Sequence, residues 1–477
     1  MPSLLILIPL FGIMILNLPF RRLMHKAAFW FAFALCMIQI ALAIHHYPLF
    51  WGYELVQLDS FFRINFSLDH LSFVMLLCIG IVTLATLLVT RHTVFDEKER
   101  FKFINLLIIT SIGMNGIVTV RDIFSLYVFL EITAIASFVL IAFEKDVYGL
   151  EGAFKYMMLS AVASVMILSS IALILLVAPS TSFSAIHDAV RQSADSKLII
   201  LAMGIFLSGL LIKGGLVPFH GWLPDAYTAA PSAVSVLLAG IVTKAAGIYT
   251  IIRVVGSIFG FTDTVKAILL ALGAISVIVG ALAALGQNDF KRMLAYSSIS
   301  QVGYIILGFA TGTPLGIAGA VFHIFNHSIF KSLLFVNAAA VEAEAGTSDM
   351  DKMGGLAAKM PYTGITSLIG MLSAGGMPPL AGFWSKFIII IALWQSGNHT
   401  YCVIAALAGV LTLAYLLVMQ RKVFFGKLRE GMQDLQEAHA GVVAAAIILA
   451  AITIGVGLLF PAVFKAFAEP VKELLIK

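Results

Sequence analysis

Glu131 and three lysines stand where a charged side chain is costly. Glu131 lies inside LYVFLEITAIASFVL, Lys213 inside LSGLLIKGGLVPFHGWLP, Lys244 inside LLAGIVTKAAGIY and Lys386 inside AGFWSKFIIII. At the centre of a bilayer each such charge costs roughly 2.5–3.5 kcal/mol on insertion scales. Burial favours the neutral form of either side chain and pairing favours the charged form. A Lys–Glu pair that can be made and broken is therefore a proton switch. The competing readings are a snorkelling lysine or a structural ion pair. Deep apolar flanks on both sides work against snorkelling.

A second group lies in GAVFHIFNHSIFKSLLF, where His323, His327 and Lys331 follow one another at i, i+4 and i+8. On a helix these share one face. Histidine titrates near neutral pH and can donate and accept at its two nitrogens, which suits a proton relay. A lone membrane histidine is more often a packing residue, and three titratable groups on one stripe shift that balance. No third ligand stands out beside His323 and His327, so no metal site is expected. His220, Trp222 and Asp225 read equally as a proton entrance or as interfacial anchors and caps. Asp69 reads as a cap or interfacial group, and Lys155 as interfacial.

These residues need a membrane around them. Of 477 residues, 61% are hydrophobic and 12% charged, where a soluble protein has about 25% charged. The expected fold is an all-α integral membrane protein, one membrane domain over 1–477. It has about fourteen apolar runs long enough to span, centred on 3–20, 27–46, 69–90, 103–120, 123–143, 155–178, 198–219, 232–256, 265–285, 293–311, 315–341, 362–391, 400–420 and 440–466. The N-terminus lacks a basic region and a small-residue cleavage site, so it reads as a retained first helix. Lys and Arg concentrate in the loops after odd-numbered runs, for example Arg91, Lys98, Lys291, Arg292, Arg421 and Lys422. The positive-inside rule then puts those loops in the cytoplasm and both termini outside.

The chain also repeats itself. Gly214-Gly215-x-x-Pro218-x-x-Gly221 returns 161 residues later as Gly375-Gly376-x-x-Pro379-x-x-Gly382, with Pro378 beside Pro379. Gly149-x-x-Gly152-Ala153 returns 167 residues later as Gly316-x-x-Gly319-Ala320, and Asp122 returns as Asp289 at that same offset. The unit holds five helices, an odd number, so its copies have opposite topology. The boundaries are 103–256 (helices 4–8) and 265–420 (helices 9–13), flanked by 1–90 and 440–466. The Gly–Pro motifs break helices 7 and 12. Interrupted helices at matching places in two repeats point to an ion site.

Other chemistries lack their residues. Cys36, Cys78 and Cys402 stand alone in apolar runs, so no iron–sulfur cluster or structural zinc is expected. No phosphate loop and no dinucleotide fingerprint occur. The basic balance suits anionic lipid, and no nucleic acid is expected.

The block from Lys213 through GGLVPFHGWLPDAYTAAPSAVSVLLAGIVT to Lys244 resembles the signature of the antiporter-like membrane subunits of respiratory complex I. Those are related to group 4 membrane-bound hydrogenase subunits and Mrp-type cation–proton antiporters. FKRMLAYSSISQVGY, FNHSIFKSLLF and MPPLAGFWSKF resemble further blocks, and the likeness runs from about 69 to 425. The resemblance implies that Glu131 pairs with Lys213 and that Lys244 bridges to His323, His327 and Lys331. It implies that Lys386 ends the path. It further implies other membrane subunits and a peripheral redox arm as partners. Iron–sulfur clusters, and flavin, quinone or Ni–Fe, would be held there and none in this chain. The chain stops soon after its last run, without the long lateral helix of the distal complex I subunit. It is thus similar to a middle or proximal subunit, or to the hydrogenase or Mrp equivalent.

The expected function is proton translocation in a redox-driven assembly, with no redox chemistry in this chain. The alternatives are a subunit of an Mrp-type Na⁺/H⁺ antiporter and a non-pumping scaffold for a soluble partner. Lysines favour H⁺ over Na⁺, because sodium sites need oxygen ligands.

Overall fold

The computed structural model describes residues 2–18, 21–45, 57–61, 64–94, 96–193 and 196–468. The chain is a helical bundle. Its helices are α1 (Leu4–Leu16), α2 (Arg21–His45), α3 (His70–Thr93), α4 (Glu97–Thr119), α5 (Ile123–Ile141) and α6 (Val147–Leu175). There follow α7 (Phe183–Gln192), α8 (Lys197–Gly214), α9 (Trp222–Ala229) and the long run α10 (Ser232–Phe259). The remainder are α11 (Asp263–Leu285), α12 (Phe290–Ala310), α13 (Pro314–Ala345), α14 (Pro361–Gly375), α15 (Ala381–Gln395), α16 (His399–Val423), α17 (Ala440–Leu458) and α18 (Phe460–Ala468). An antiparallel hairpin of β1 (Gln57–Phe61) and β2 (Ile64–Leu68) precedes α3. Neither the hairpin nor the short amphipathic α7 is legible in the sequence, because both are too short and too polar to register as apolar runs.

Among the described residues, twelve helices are long and apolar enough to cross a membrane, while α1 and α15 are apolar and shorter. Aspartates start many of them. Asp69, Asp96, Asp122, Asp146 and Asp289 each accept a hydrogen bond from the backbone N–H three residues on. That satisfies a donor the helix cannot pair internally.

Burial sorts the helices into centre and rim. α10 and α13 are wholly buried within their apolar windows, and α3 and α12 nearly so. α6, α16 and α17 are mostly unburied and expose Val165, Leu407, Val410 and Ile447. Large apolar side chains facing outward around a polar-bearing centre are what lipid as solvent demands.

The sequence matches have local structural counterparts. Asp122 accepts from Thr181 Oγ1, and Asp289 accepts from Ser348 Oγ. Ile123 N donates to Thr181 O and Phe290 N to Ser348 O, both at 2.9 Å. Each pair of residues recurs at the same spacing of 167.

Candidate functional site: buried bases beside two broken helices

The first break follows Lys213 directly. α8 ends at Gly214, and Gly215 turns the chain with φ +66°. Left-handed backbone favours glycine. Trp222 Nε1 donates to Ile212 O at 3.0 Å, and Val217 N donates to Ser276 Oγ at 3.1 Å. The interruption is thereby satisfied inside protein, as membrane depth requires. Pro218 stands in the turn, and α9 resumes at Trp222.

Lys213 is buried and its ammonium has three acceptors. They are Glu131 Oε1 at 3.1 Å, Ser160 Oγ at 3.2 Å and Ser164 Oγ at 3.3 Å. An ammonium has three protons to give. Ser164 Oγ also donates to the same Glu131 oxygen at 2.5 Å. Four groups from α5, α6 and α8 thus form one compact polar knot.

Gly214 also sets how near the next base can come. A Cβ on Gly247 would lie 2.2 Å from Gly214 Cα. α8 and α10 therefore touch backbone to backbone, three residues beyond Lys244. Around Lys244 the helix widens to π geometry over Leu238–Val242 and Lys244–Tyr249. Its ammonium donates to Ala239 O, five residues back. Such π segments are frequent at functional sites.

Lys244 shares its surroundings with the α13 stripe. His327 is within electrostatic reach of Lys244, Lys331, His323 and Lys386. His323 and His327 lie with rings 8° from parallel and centroids 6.0 Å apart. His323 Nδ1 bonds Ser385 Oγ at 2.9 Å, and Lys331 Nζ donates to Leu294 O at 3.0 Å. His323 Nε2, both nitrogens of His327 and Ser332 Oγ are buried without a protein partner. Buried polar atoms are rarely left so, and ordered water is the usual complement.

Lys386 follows the second break. α14 ends at Gly375, Gly376 turns with φ +80°, and Pro378 and Pro379 precede α15. Lys386 Nζ donates to Ala374 O at 2.6 Å and sits 4.8 Å from the centre of the Tyr304 ring. It thus caps a carbonyl that its own interrupted helix leaves free, with a cation–π contact beside it.

The structure therefore gathers Lys244, His323, His327, Lys331 and Lys386 into one cluster, and holds Glu131 with Lys213 as a separate pair. Asp225 belongs to neither. It is ion-paired to Lys155 and Arg292, both at 2.7 Å. His220 is half-buried and its Nδ1 has no protein partner. Among the described residues no three His, Cys, Asp or Glu side chains converge as metal ligands.

Several residues of consequence carry little sequence signal. Ser160 and Ser164 have no charge, and only their i, i+4 spacing could flag them. Asp69 is more than a cap. It takes Arg253 through two contacts, of 2.5 and 2.8 Å, and Arg121 at 3.1 Å. Burial would raise its carboxyl, but the two guanidiniums hold it well below the usual carboxylate range. Lys291 is buried and bonded to Glu342 at 3.2 Å.

A multi-pass integral membrane protein with buried bases at two helix breaks is thus defined by fold and site. The family described as "NADH:quinone oxidoreductase/Mrp antiporter, TM" matches residues 120–412. The chain belongs to that family and is an antiporter-like membrane subunit. It is 31% identical over 446 residues to an Na(+)/H(+) antiporter subunit of Alkalihalophilus pseudofirmus, covering 92% of this chain and 89% of the relative. It is 31% identical over 440 residues to NADH-quinone oxidoreductase subunit N of Desulforudis audaxviator, covering 87% and 84%. A chain of the Mrp complex from Dietzia sp. DQ12-45-1b has the same fold, with a TM-score of 0.92 at 24% identity, covering 100% of this chain and 97% of that one.

Proposed function

We propose that this chain translocates protons within a complex I-like or group 4 hydrogenase-like redox-driven pump. The observation that carries this is the Lys213 ammonium, held by Glu131 at the point where its helix ends. When the pair opens, the Lys213 ammonium loses its stabilising carboxylate and passes a proton across the α8–α10 contact to the Lys244 amine. Lys244 is the first of five buried bases, and among the described residues no carboxylate stands with them to fix a proton in place. Each proton repels the next, so one arriving at Lys244 drives one onward through His327 and His323 to Lys386. The unpaired nitrogens of the two histidines are suited to holding water along that path.

In this reading the bundle has fourteen spans, with α1, α14 and α15 completing the count, and 103–256 and 265–420 are inverted repeats. The membrane is an energy-coupling one with both termini outside. Other membrane subunits and a peripheral arm are the partners, and that arm holds the iron–sulfur clusters with flavin, quinone or Ni–Fe. A subunit of an Mrp-type antiporter is the second reading, favoured by the similarity to the Alkalihalophilus antiporter chain. Purification from mild-detergent membranes with mass spectrometry of the copurifying chains separates the two. Soluble iron–sulfur or nickel subunits support the redox pump. Small hydrophobic partners alone overturn it in favour of the antiporter.

A further inference from the structure

One charged cavity on the lysine-rich side of the bundle is not used by the switch. It has a volume of about 600 Å³ and is lined by Glu144, Lys155, Asp225, Lys291, Arg292 and Glu342 among others. Asp225 is tied off, since Lys155 and Arg292 engage it. Lys291 and Glu342 are placed differently. The Lys291 side chain is 5% exposed and that of Glu342 is 34% exposed, so the pair reaches from cavity to interior. Lys291 Nζ bonds both Glu342 oxygens, at 3.4 and 3.2 Å, and Ala230 O at 3.0 Å. Ser232 Oγ donates to Glu342 as well.

Both residues stand on helices that lead to the central bases. Glu342 ends the helix that carries Lys331, His327 and His323. Lys291 lies one turn before Leu294, whose carbonyl accepts from Lys331. Glu342 and Lys331 are eleven residues apart, about 16 Å along a helix. Buried polar atoms without a protein partner mark the interval: Asn337 Nδ2 and Ser332 Oγ. Asn337 Oδ1 is held by Thr366 Oγ1 at 2.9 Å, which fixes the amide with its NH₂ free. A stretch of free hydrogen-bonding groups in an apolar helix is what a file of water requires.

We propose that Lys291 and Glu342 form a proton inlet that loads Lys331 from the lysine-rich side, independently of Glu131 and Lys213. The inlet rests on the translocation reading above. The Glu342 carboxylate takes a proton from hydronium in the cavity, which weakens its hold on Lys291. The proton then leaves Glu342 for the neutral Lys331 amine, through water bound by the Asn337 amide and the Ser332 hydroxyl, and Glu342 returns to its ion pair. The second half of the chain is then charged by its own route, but that charge moves on to Lys386 only when a proton arriving through the switch repels it.

The test uses the assembled complex reconstituted in vesicles. Glu342→Gln and Glu131→Gln are compared for initial proton translocation. Asn337→Cys is treated with the membrane-impermeant reagent 2-(trimethylammonium)ethyl methanethiosulfonate from each face, and modification is read by peptide mass. The three native cysteines are buried. The inlet predicts that Glu342→Gln slows translocation at least about tenfold and that the introduced thiol is modified only from the lysine-rich face. Wild-type rates in Glu342→Gln, with translocation lost in Glu131→Gln, overturn the inlet and leave the proposed function standing. Loss in Glu342→Gln with full rates in Glu131→Gln removes the switch and keeps the inlet. If Glu342→Gln fails to assemble, the thiol reaction of Asn337→Cys decides, and an unmodified thiol overturns the inlet.

Discussion

The Lys213 ammonium lies 3.1 Å from the Glu131 carboxylate, and the helix that carries it stops one residue later. A charge pair at the end of a broken helix can move with less disturbance than one in a continuous helix, because its backbone is already free of the next turn. Ser160 and Ser164 hold the closed state. The strength of that knot is therefore a control on transport.

Ser164→Ala tests the knot. The serine bonds both partners, so its loss leaves Glu131 and Lys213 each one contact short. Hydrogen bonds to charged groups contribute roughly 1.5–3 kcal/mol, so the pair is expected to open more readily and the rate of translocation to rise about tenfold or more. Initial rates in vesicles containing the assembled complex measure it. An unchanged rate would mean that Ser164 is packing alone.

Gly247→Ala tests the contact between α8 and α10. The added methyl would meet Gly214 Cα at 2.2 Å, and backbone cannot step aside as a side chain can. Overpacking of this kind costs typically about 1–3 kcal/mol. The melting temperature in detergent is expected to drop, and translocation with it. Gly204→Ala is the comparison, because nothing lies within 4 Å of a Cβ there.

The bases are more legible in the sequence than their partners are. Lys213, Lys244, Lys331 and Lys386 stand out because a lysine inside an apolar run violates the composition around it. The breaks stand out because Gly–Gly and Pro are rare in combination within a span. Ser160, Ser164 and Asn337 do not, since small polar residues are common in membrane helices and only their neighbours in space give them a role. Lys291 reads as a loop residue and Glu342 draws no notice, because each lies near a helix end where charge is ordinary. Their pairing is a fact of tertiary structure. The hairpin of β1 and β2 is invisible for a related reason, being held by backbone hydrogen bonds over a few residues with little apolar pattern.

Asp69 gives a pH-dependent expectation with a definite sign. Its carboxyl is part-buried, which alone would raise it, and is held well below the usual range by the buried Arg253 and by Arg121. A depressed carboxyl contributes stability above its unfolded value of about 3.9, and that contribution is lost only as pH falls through the lower folded value. From pH 5 to 9 the contribution is constant. Asp69→Asn should cost roughly 3–5 kcal/mol, as breaking a buried pair does, by the same amount across that window. Thermal unfolding at several pH values checks this. A penalty that vanishes at pH 5 would contradict it.

Lys386→Met separates structure from transport at the far end. It removes the contact to Ala374 O at the second break, worth roughly 1.5–3 kcal/mol. As the last base of the row its loss is expected to slow translocation about 100-fold. A stability loss without a transport defect would reduce Lys386 to a helix cap.

The central claim is that protons pass through Lys213. The direct measurement is proton flux in vesicles containing the purified complex with Lys213→Met, alongside proof by mass spectrometry that the same subunits are present. The account predicts an assembled complex that moves no protons above the passive leak. Full proton flux in that variant would contradict it.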